Sequence, residues 1–327
     1  IAFWDHDDTL DPYALYEAAI IIVDKKAELI YTDEDKLSED GRYYNNPHFK
    51  PDWSPDLLTH VNYINHFTVV KKSLLDKVGY LNPEMDGAQD YDLILRLASE
   101  NPKVSHISKV LYHWRVARNS TANDFSSKKN ITIAGKAALK NYFERSGLDV
   151  EVIPKEHQPG YYEVIFSNIK KISLVVMPFA SQEILKLYTK ILINRTNPNL
   201  LELELLVPEG VDFESKSSHI KFKTFEKNNE FLKKAVNNAS FERIIIVNQI
   251  ALPDDKDWAS RLSGILDQKH IKVASPLIIQ DGEKIDDCGL VVDAYGHYIH
   301  LFRGFSTKEN KRYTSFGNEY WVRNVDA

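Results

Sequence analysis

The chain has 327 residues, 43% of them apolar and 11% aromatic, which is enough to fill two cores of ordinary size and too apolar for a disordered segment. Its 41 basic residues are outnumbered by 47 acidic ones and scattered without a basic stripe, which excludes phosphate-backbone binding as the main task, so no nucleic acid is expected as a partner. The one cysteine, Cys288, excludes an internal disulfide and a multi-cysteine zinc site and fits a cytoplasmic, reducing location.

No uninterrupted apolar stretch reaches 18 residues, so no membrane span is expected, while peripheral association with the inner face of the cell membrane stays open. The chain opens on Ile1 inside an apolar run and closes on Val325-Asp326-Ala327 with no terminal helix, from which a piece of a longer protein is expected.

In chain order, Ile1 to Trp4 reads as a buried strand, followed by the acidic cluster Asp5-His6-Asp7-Asp8-Thr9. Asp11 as N-cap and Pro12 at the first helical position predict a helix to about Val23, so the cluster is expected at a strand-to-helix junction. Glu28 to Tyr31 reads as a short strand, and His48 to Asn65, punctuated by Pro51, Trp53 and Pro55, as a loop with a short helix.

Val69 to Val78 is expected as strand then helix, and Gln89 to Leu97 as a helix with Asp90 and Asp92 in its first turn. Val104 to Ile107 and Val110 to Tyr112 read as two short strands, and Ser126 to Arg145 as one long helix stopped by Gly147. From Lys171 a second pattern alternates strands (Ile172 to Met177, Leu201 to Val207, Ile220 to Phe222, Arg243 to Val247) with helices (Gln182 to Ile193, Glu230 to Asn237), which predicts an α/β unit with a mostly parallel sheet. A weak internal echo lays Ile1 to Asp8 over Ile244 to Ala251 and suggests two related units.

Carboxylates at alternate positions just past a strand can share one hard cation, and Mg²⁺ or Mn²⁺ held by one or two carboxylates plus substrate phosphates is the usual arrangement. Asp5 and Asp7 fit that demand at the strand end, where ligands of open α/β sheets bind.

An ordered set of motifs then carries a resemblance. Asp5-His6-Asp7-Asp8-Thr9-Leu10, Tyr31-Thr32-Asp33-Glu34-Asp35-Lys36, Phe49 to Leu58, Asn62-Tyr63-Ile64, Gln89-Asp90-Tyr91-Asp92-Leu93 and Leu111-Tyr112-His113-Trp114-Arg115 stand in the order found in family-2 glycosyltransferases, most closely the rhamnosyltransferase-like proteins of surface polysaccharide assembly. The resemblance implies a GT-A (nucleotide-diphospho-sugar transferase-like) fold, a three-layer α/β sandwich present as two partial units in tandem. Residues 1–122 would be the acceptor and catalytic part of a first domain, 123–170 a helix and linker, and 171–327 the N-terminal part of a second, degenerate domain.

The implied activity is that of an inverting hexosyltransferase in O-antigen or cell-wall glycan synthesis, moving a sugar from a UDP-, dTDP- or GDP-sugar to a glycan or lipid-linked acceptor. Asp5 and Asp7 match the Asp-x-Asp motif that holds Mn²⁺ or Mg²⁺ on the donor diphosphate, and Asp90 matches the catalytic base. A carboxylate base needs a raised pKa, for which burial or the neighbouring acid Asp92 is expected to serve.

His113 falls where a third metal ligand is found in relatives, against a packed and hydrogen-bonded histidine as the plainer reading. Asp33, Asp35 and Arg115 are expected on the donor side, with Arg115 bound either to phosphate or to an acid. Gln89 and the flat faces of Trp53 and Tyr63 are expected on the acceptor side, with core packing as the alternative for both aromatics.

The chain departs from the family in two places. The family's nucleotide-binding strands, which stand before the Asp-x-Asp motif, are expected to be missing from this piece, and the corresponding motif of the second unit reads Asn248-Gln249-Ile250, so no metal is expected there. Phe302-Arg303-Gly304 and Trp321 to Val325 resemble the family upstream of its acceptor region. The alternative is a non-catalytic GT-A-like module for carbohydrate binding or assembly, and the isolated piece is expected to be inactive. A nucleotidyltransferase or phosphatase shares the metal logic but has no use for Gln89 to Asp92 or Trp53-Ser54-Pro55.

Overall fold

The computed structural model describes residues 1–116, 125–156, 158–166, 170–178, 181–197, 201–211, 220–248, 251–280, 282–287, 290–292, 295–300 and 303–306. The expected motif positions Gln249 and Ile250, together with Cys288, Phe302 and Trp321 to Val325, lie outside them. The chain divides into one compact unit formed by Ile1–Val164 with Asp281–Ala327 and a second formed by Ile165–Gln280.

The first unit runs β1 (Ala2–Phe3), β2 (Thr9–Leu10), α1 (Ala14–Lys25), β3 (Leu29–Leu37), β4 (Tyr44–His48), α2 (Pro55–Leu58), β5 (Thr68–Val70), α3 (Lys72–Val78), a 3₁₀ turn (Pro83–Met85), α4 (Gln89–Ser99), β6 (Val104–Arg115), α5 (Phe125–Arg145), β7 (Val150–Pro154) and β8 (Tyr162–Phe166). Its sheet has the order β1-β5-β3-β6-β2, with β4 on β3. Only β3 and β6 run parallel, so the mostly parallel sheet expected from sequence is not found in this unit. The reason is connection length: a tight turn with Gly41 at φ +72° folds β4 straight back on β3, whereas parallel neighbours need a long crossover.

Three local expectations are corrected. The strand at Ile1 to Trp4 shrinks to Ala2–Phe3 and leaves Ile1 and Trp4 about half exposed. The acidic cluster is followed by β2 before any helix, and α1 begins at Ala14, because Asp11 Oδ1 accepts from the Tyr13 amide and closes a turn ahead of the helix. The two strands expected around Ser108-Lys109 are one long β6, whose pairing to β3 shifts register between Thr32 and Glu34.

The sheet face under α1 is a core of Ala14, Ala27, Ile30, Phe67, Ile107, Leu111 and Tyr112, each large apolar side chain contributing about 1.5–3 kcal/mol of burial. Within the segment expected as helix and linker, Tyr162 is fully buried against Tyr91 and Tyr161 bridges Val61 of this unit.

The second unit follows its sequence pattern: β9 (Lys170–Val176), α6 (Gln182–Asn194), β10 (Leu201–Pro208), β11 (Ile220–Phe225), α7 (Phe231–Asn237), β12 (Arg243–Val247) and α8 (Trp258–Ile265). The order β11-β10-β9-β12 is parallel throughout. Alternation along β9 sends Ile172, Leu174 and Val176 to the face covered by Leu185 and Tyr188 of α6 and Ala259 of α8, and Val175 to the face covered by Phe231 and Ala235 of α7. This unit therefore has three layers. The echo between Ile1 to Asp8 and Ile244 to Ala251 does not extend to pairing, since β1 is a two-residue antiparallel strand and β12 a five-residue parallel one.

Candidate functional site

Past β1 the chain turns sharply, with the Asp8 amide donating to the Asp5 carbonyl at 3.2 Å. The turn sorts its acids. The side chains of Asp5 and Asp7 are 60% and 51% exposed. Asp8 is buried: its Oδ1 accepts from the Arg115 amide at 2.8 Å and its Oδ2 from the Tyr112 hydroxyl. Asp8 thus pins the turn to the end of β6, and burial followed by Asp8 raises the Tyr112 phenol far above its usual range, so it remains a donor.

A shelf of rings extends from the turn. His66 stacks on Tyr112 at 4.8 Å between centroids and meets Trp114 edge-on at 5.8 Å, and its Nε2 lies 3.7 Å from Asp5 Oδ2. Trp114 in turn carries the Lys36 ammonium 3.1 Å from its ring centroid. Burial lowers the Lys36 pKa against the pull of Glu34 and Asp8. Arg115 donates from Nε to the Asp7 carbonyl at 2.8 Å. Among the described residues neither Lys36 nor Arg115 pairs with a carboxylate, so two cations stand beside the strand-end acids with charge to offer an anion.

Asp90 lies in the first turn of α4, half-buried, and its Oδ2 accepts from Asn62 Nδ2 at 3.1 Å. Burial raises its carboxyl pKa; the Tyr91 amide and His66 pull it down, and Asp5 pushes it up. The neighbour expected to raise it, Asp92, does not: it is buried against Arg96 at 2.9 Å, and Arg96 also binds the carbonyls of Val78, Gly79 and Tyr80. Helical spacing explains this, because residues two apart point to different sides.

The remaining sequence candidates are placed as follows. His113 Nδ1 is 2.7 Å from Asp35 Oδ1 and its ring contacts Tyr44, and among the described residues no three His, Cys, Asp or Glu side chains converge as a metal cage. The expected set of Asp5, Asp7 and His113 is therefore not assembled. Asp5 and Asp7, exposed and free of Lys or Arg partners, fit a cation only as two carboxylates completed by a substrate's own phosphates. Asp33 and Asp35 are buried against histidines: Asp33 Oδ1 accepts from the Lys50 amide at 2.8 Å and faces His106 Nε2 at 2.9 Å.

Tyr63 is corrected to a core residue, 2% exposed, with its hydroxyl accepting from the Ser54 amide and its ring edge-on to Tyr31. Gln89 Oε1 accepts from the Gly87 amide and closes the loop before α4. Trp53 is half-exposed and lines a cavity of about 640 Å³ with Asp52, Lys25, Lys103 and His106, at the start of β6 and away from Asp5. Sequence reasoning missed Asp8, Lys36, Asn62 and His66 as members of the site. Asp8, Lys36 and Asn62 stood in the motifs that carry the resemblance, without a role of their own, and His66 had only its place in the polar-interrupted run Asn62 to His66 as a signal.

No family model matches the chain. Over 339 aligned residues it is 31% identical to the O-antigen biosynthesis protein RfbC of Myxococcus xanthus, covering 99% of this chain and 26% of that protein. It is 29% identical over 324 residues to the uncharacterized protein y4gI of Sinorhizobium fredii (strain NBRC 101917 / NGR234), covering 92% of this chain and 35% of that one. The chain thus spans about a quarter to a third of the length of these curated relatives. The crystal structure of S. aureus TarS matches 44% of this chain and 27% of its own at 17% identity and a TM-score of 0.28, too loose to define a shared fold. No helix among the described residues is long and apolar enough to cross a membrane.

Proposed function

We propose that the chain carries the acceptor-side part of a glycosyltransferase of surface polysaccharide synthesis, with Asp90 as general base and the Asp5–Asp8 turn facing the donor diphosphate. The observation that carries this reading is the setting of Asp90: a carboxylate whose pKa is raised by burial, held by Asn62 in the first turn of α4. The likeness to a protein named for O-antigen biosynthesis supports the substrate class.

In the proposed reaction Asp90 takes the proton of an acceptor hydroxyl as its oxygen attacks the anomeric carbon from the face opposite the diphosphate. The bond from that carbon to the phosphate oxygen breaks, and the nucleoside diphosphate leaves with the electron pair, so configuration inverts. Lys36 over Trp114 and Arg115 on the Asp7 carbonyl would offset the charge gathering on the leaving group. A divalent cation, Mn²⁺ or Mg²⁺, would be held by Asp5 and Asp7 with the donor phosphates and would supply Lewis-acid stabilisation there. Family-2 membership, rhamnosyl specificity and the GT-A fold belong to the same proposal.

The test is nucleotide release from UDP-, dTDP- and GDP-sugars by the full-length protein, with Mn²⁺ and with chelator. Release from one donor class that falls in chelator supports the reading. No release from any donor would favour the carbohydrate-binding or assembly module.

A further inference from the structure

Asn62 lies 28 residues from Asp90 in sequence, yet its Nδ2 donates to Asp90 Oδ2 at 3.1 Å. The other half of the same amide is the unusual part: Asn62 Oδ1 is buried and has no hydrogen-bond partner among the described residues. A buried acceptor without a partner is rare and costly, and such an atom calls for a reason. An amide with only its own hydrogen bonds to satisfy would turn its oxygen towards a donor. This one keeps its N–H on the carboxylate and leaves the oxygen unserved.

The segment around Asn62 holds it there. Val61 donates to the Leu57 carbonyl at 3.0 Å and bridges Tyr161. On the other side Tyr63 is anchored by its buried ring and by the Ser54 amide at 2.7 Å. The charged groups that act on Asp90 are His66 and Asp5, while Asp92 on the same helix is turned to Arg96. Asn62 is therefore a fixed neutral donor to Asp90.

We infer that Asn62 is the positioning residue of the base: by holding Oδ2 it fixes the rotation of the Asp90 carboxylate and leaves Oδ1 to receive the acceptor proton. This rests on the reading of Asp90 as base given above. Geometry of this kind acts on the chemical step, because a base must present a lone pair along the O–H it removes.

The experiment compares Asn62→Leu, Asn62→Ser and Asp90→Asn in the full-length protein, measuring nucleotide release and urea unfolding. Leucine has nearly the shape of asparagine and removes the orphan oxygen, so Asn62→Leu is expected to unfold at or above the wild-type urea midpoint. Its kcat is expected to fall roughly tenfold or more while donor KM stays within about twofold. Asn62→Ser, which keeps a short donor, is expected to recover part of that loss. Unchanged kcat in Asn62→Leu beside an inactive Asp90→Asn overturns this inference and leaves the base reading standing. Loss of stability in step with activity in Asn62→Leu overturns it in favour of a packing role. Wild-type release by Asp90→Asn removes both readings.

Discussion

Lys50 Nζ lies 3.0 Å from Glu34 Oε2, and the same buried ammonium donates to the carbonyls of Ile64 and His66. The ion pair between Lys50 and Glu34 of β3 therefore fixes the loop that presents His66 to Asp5 and Asn62 to Asp90. Removing one partner of a buried pair strands the other, which typically costs about 3–5 kcal/mol. Lys50→Met is expected to lower stability by that order, and Glu34→Gln combined with Lys50→Met to recover a large share of it, as read by urea unfolding. Equal losses in the single and double variants would show that the pair does not anchor the loop.

Acid should unfold the first unit in two stages. Burial lowers His60 from 6.5 to about 4 despite its bond to the Tyr162 carbonyl, so the folded state favours the neutral ring. Its contribution is complete above pH 6.5 and is lost as pH falls towards 4. Burial pushes Glu34 up, but Lys50 and then His48 override it and hold the carboxyl at about 2 against an ordinary 4.5. That contribution is complete above about pH 4.5 and is lost as pH falls towards 2. Urea midpoints across pH should therefore decline less between 6.5 and 4.5 in His60→Gln, and less below 4.5 in Glu34→Gln.

Cation binding should follow the acidic turn and ignore His113. With a nucleoside diphosphate present, water-proton relaxation by Mn²⁺ is expected to report binding that Asp5→Asn and Asp7→Asn each weaken at least about tenfold. His113→Gln should leave it unchanged, because that ring is engaged with Asp35. A loss in His113→Gln as deep as in Asp7→Asn would restore histidine to the ligand set.

The second unit was far more legible than the first, and the difference is physical. Strands such as Ile172 to Val176 are covered on both faces, so apolar character persists along them and their bounds show in composition. In the first unit the register shift near Ser108-Lys109 breaks β6 into two apparent strands, and Tyr63 carries the same aromatic signal whether it faces a sugar or the core. The acids past β1 were visible as a cluster, but which of Asp5, Asp7 and Asp8 is buried depends on Tyr112 and the Arg115 amide more than 100 residues away. His66 and Asn62 are ordinary residues in sequence and acquire meaning only from Asp5 and Asp90 across the fold.

Past the end of β12, Asn248 stands against Asp5 in the sequence echo, and an uncharged amide gives a divalent cation little reason to stay. Asn248→Ala is expected to change neither the Mn²⁺ response nor nucleotide release. A deficit in either would assign the second unit a metal-dependent role.

The most direct measurement is steady-state nucleotide release by full-length Asp90→Asn, with donor binding followed in the same samples. The account predicts that donor affinity survives within about twofold while kcat drops by about 10²-fold or more, the loss of a general base and not of a binding contact. Turnover at the wild-type rate, or a fall in donor affinity that explains the whole deficit, would contradict it.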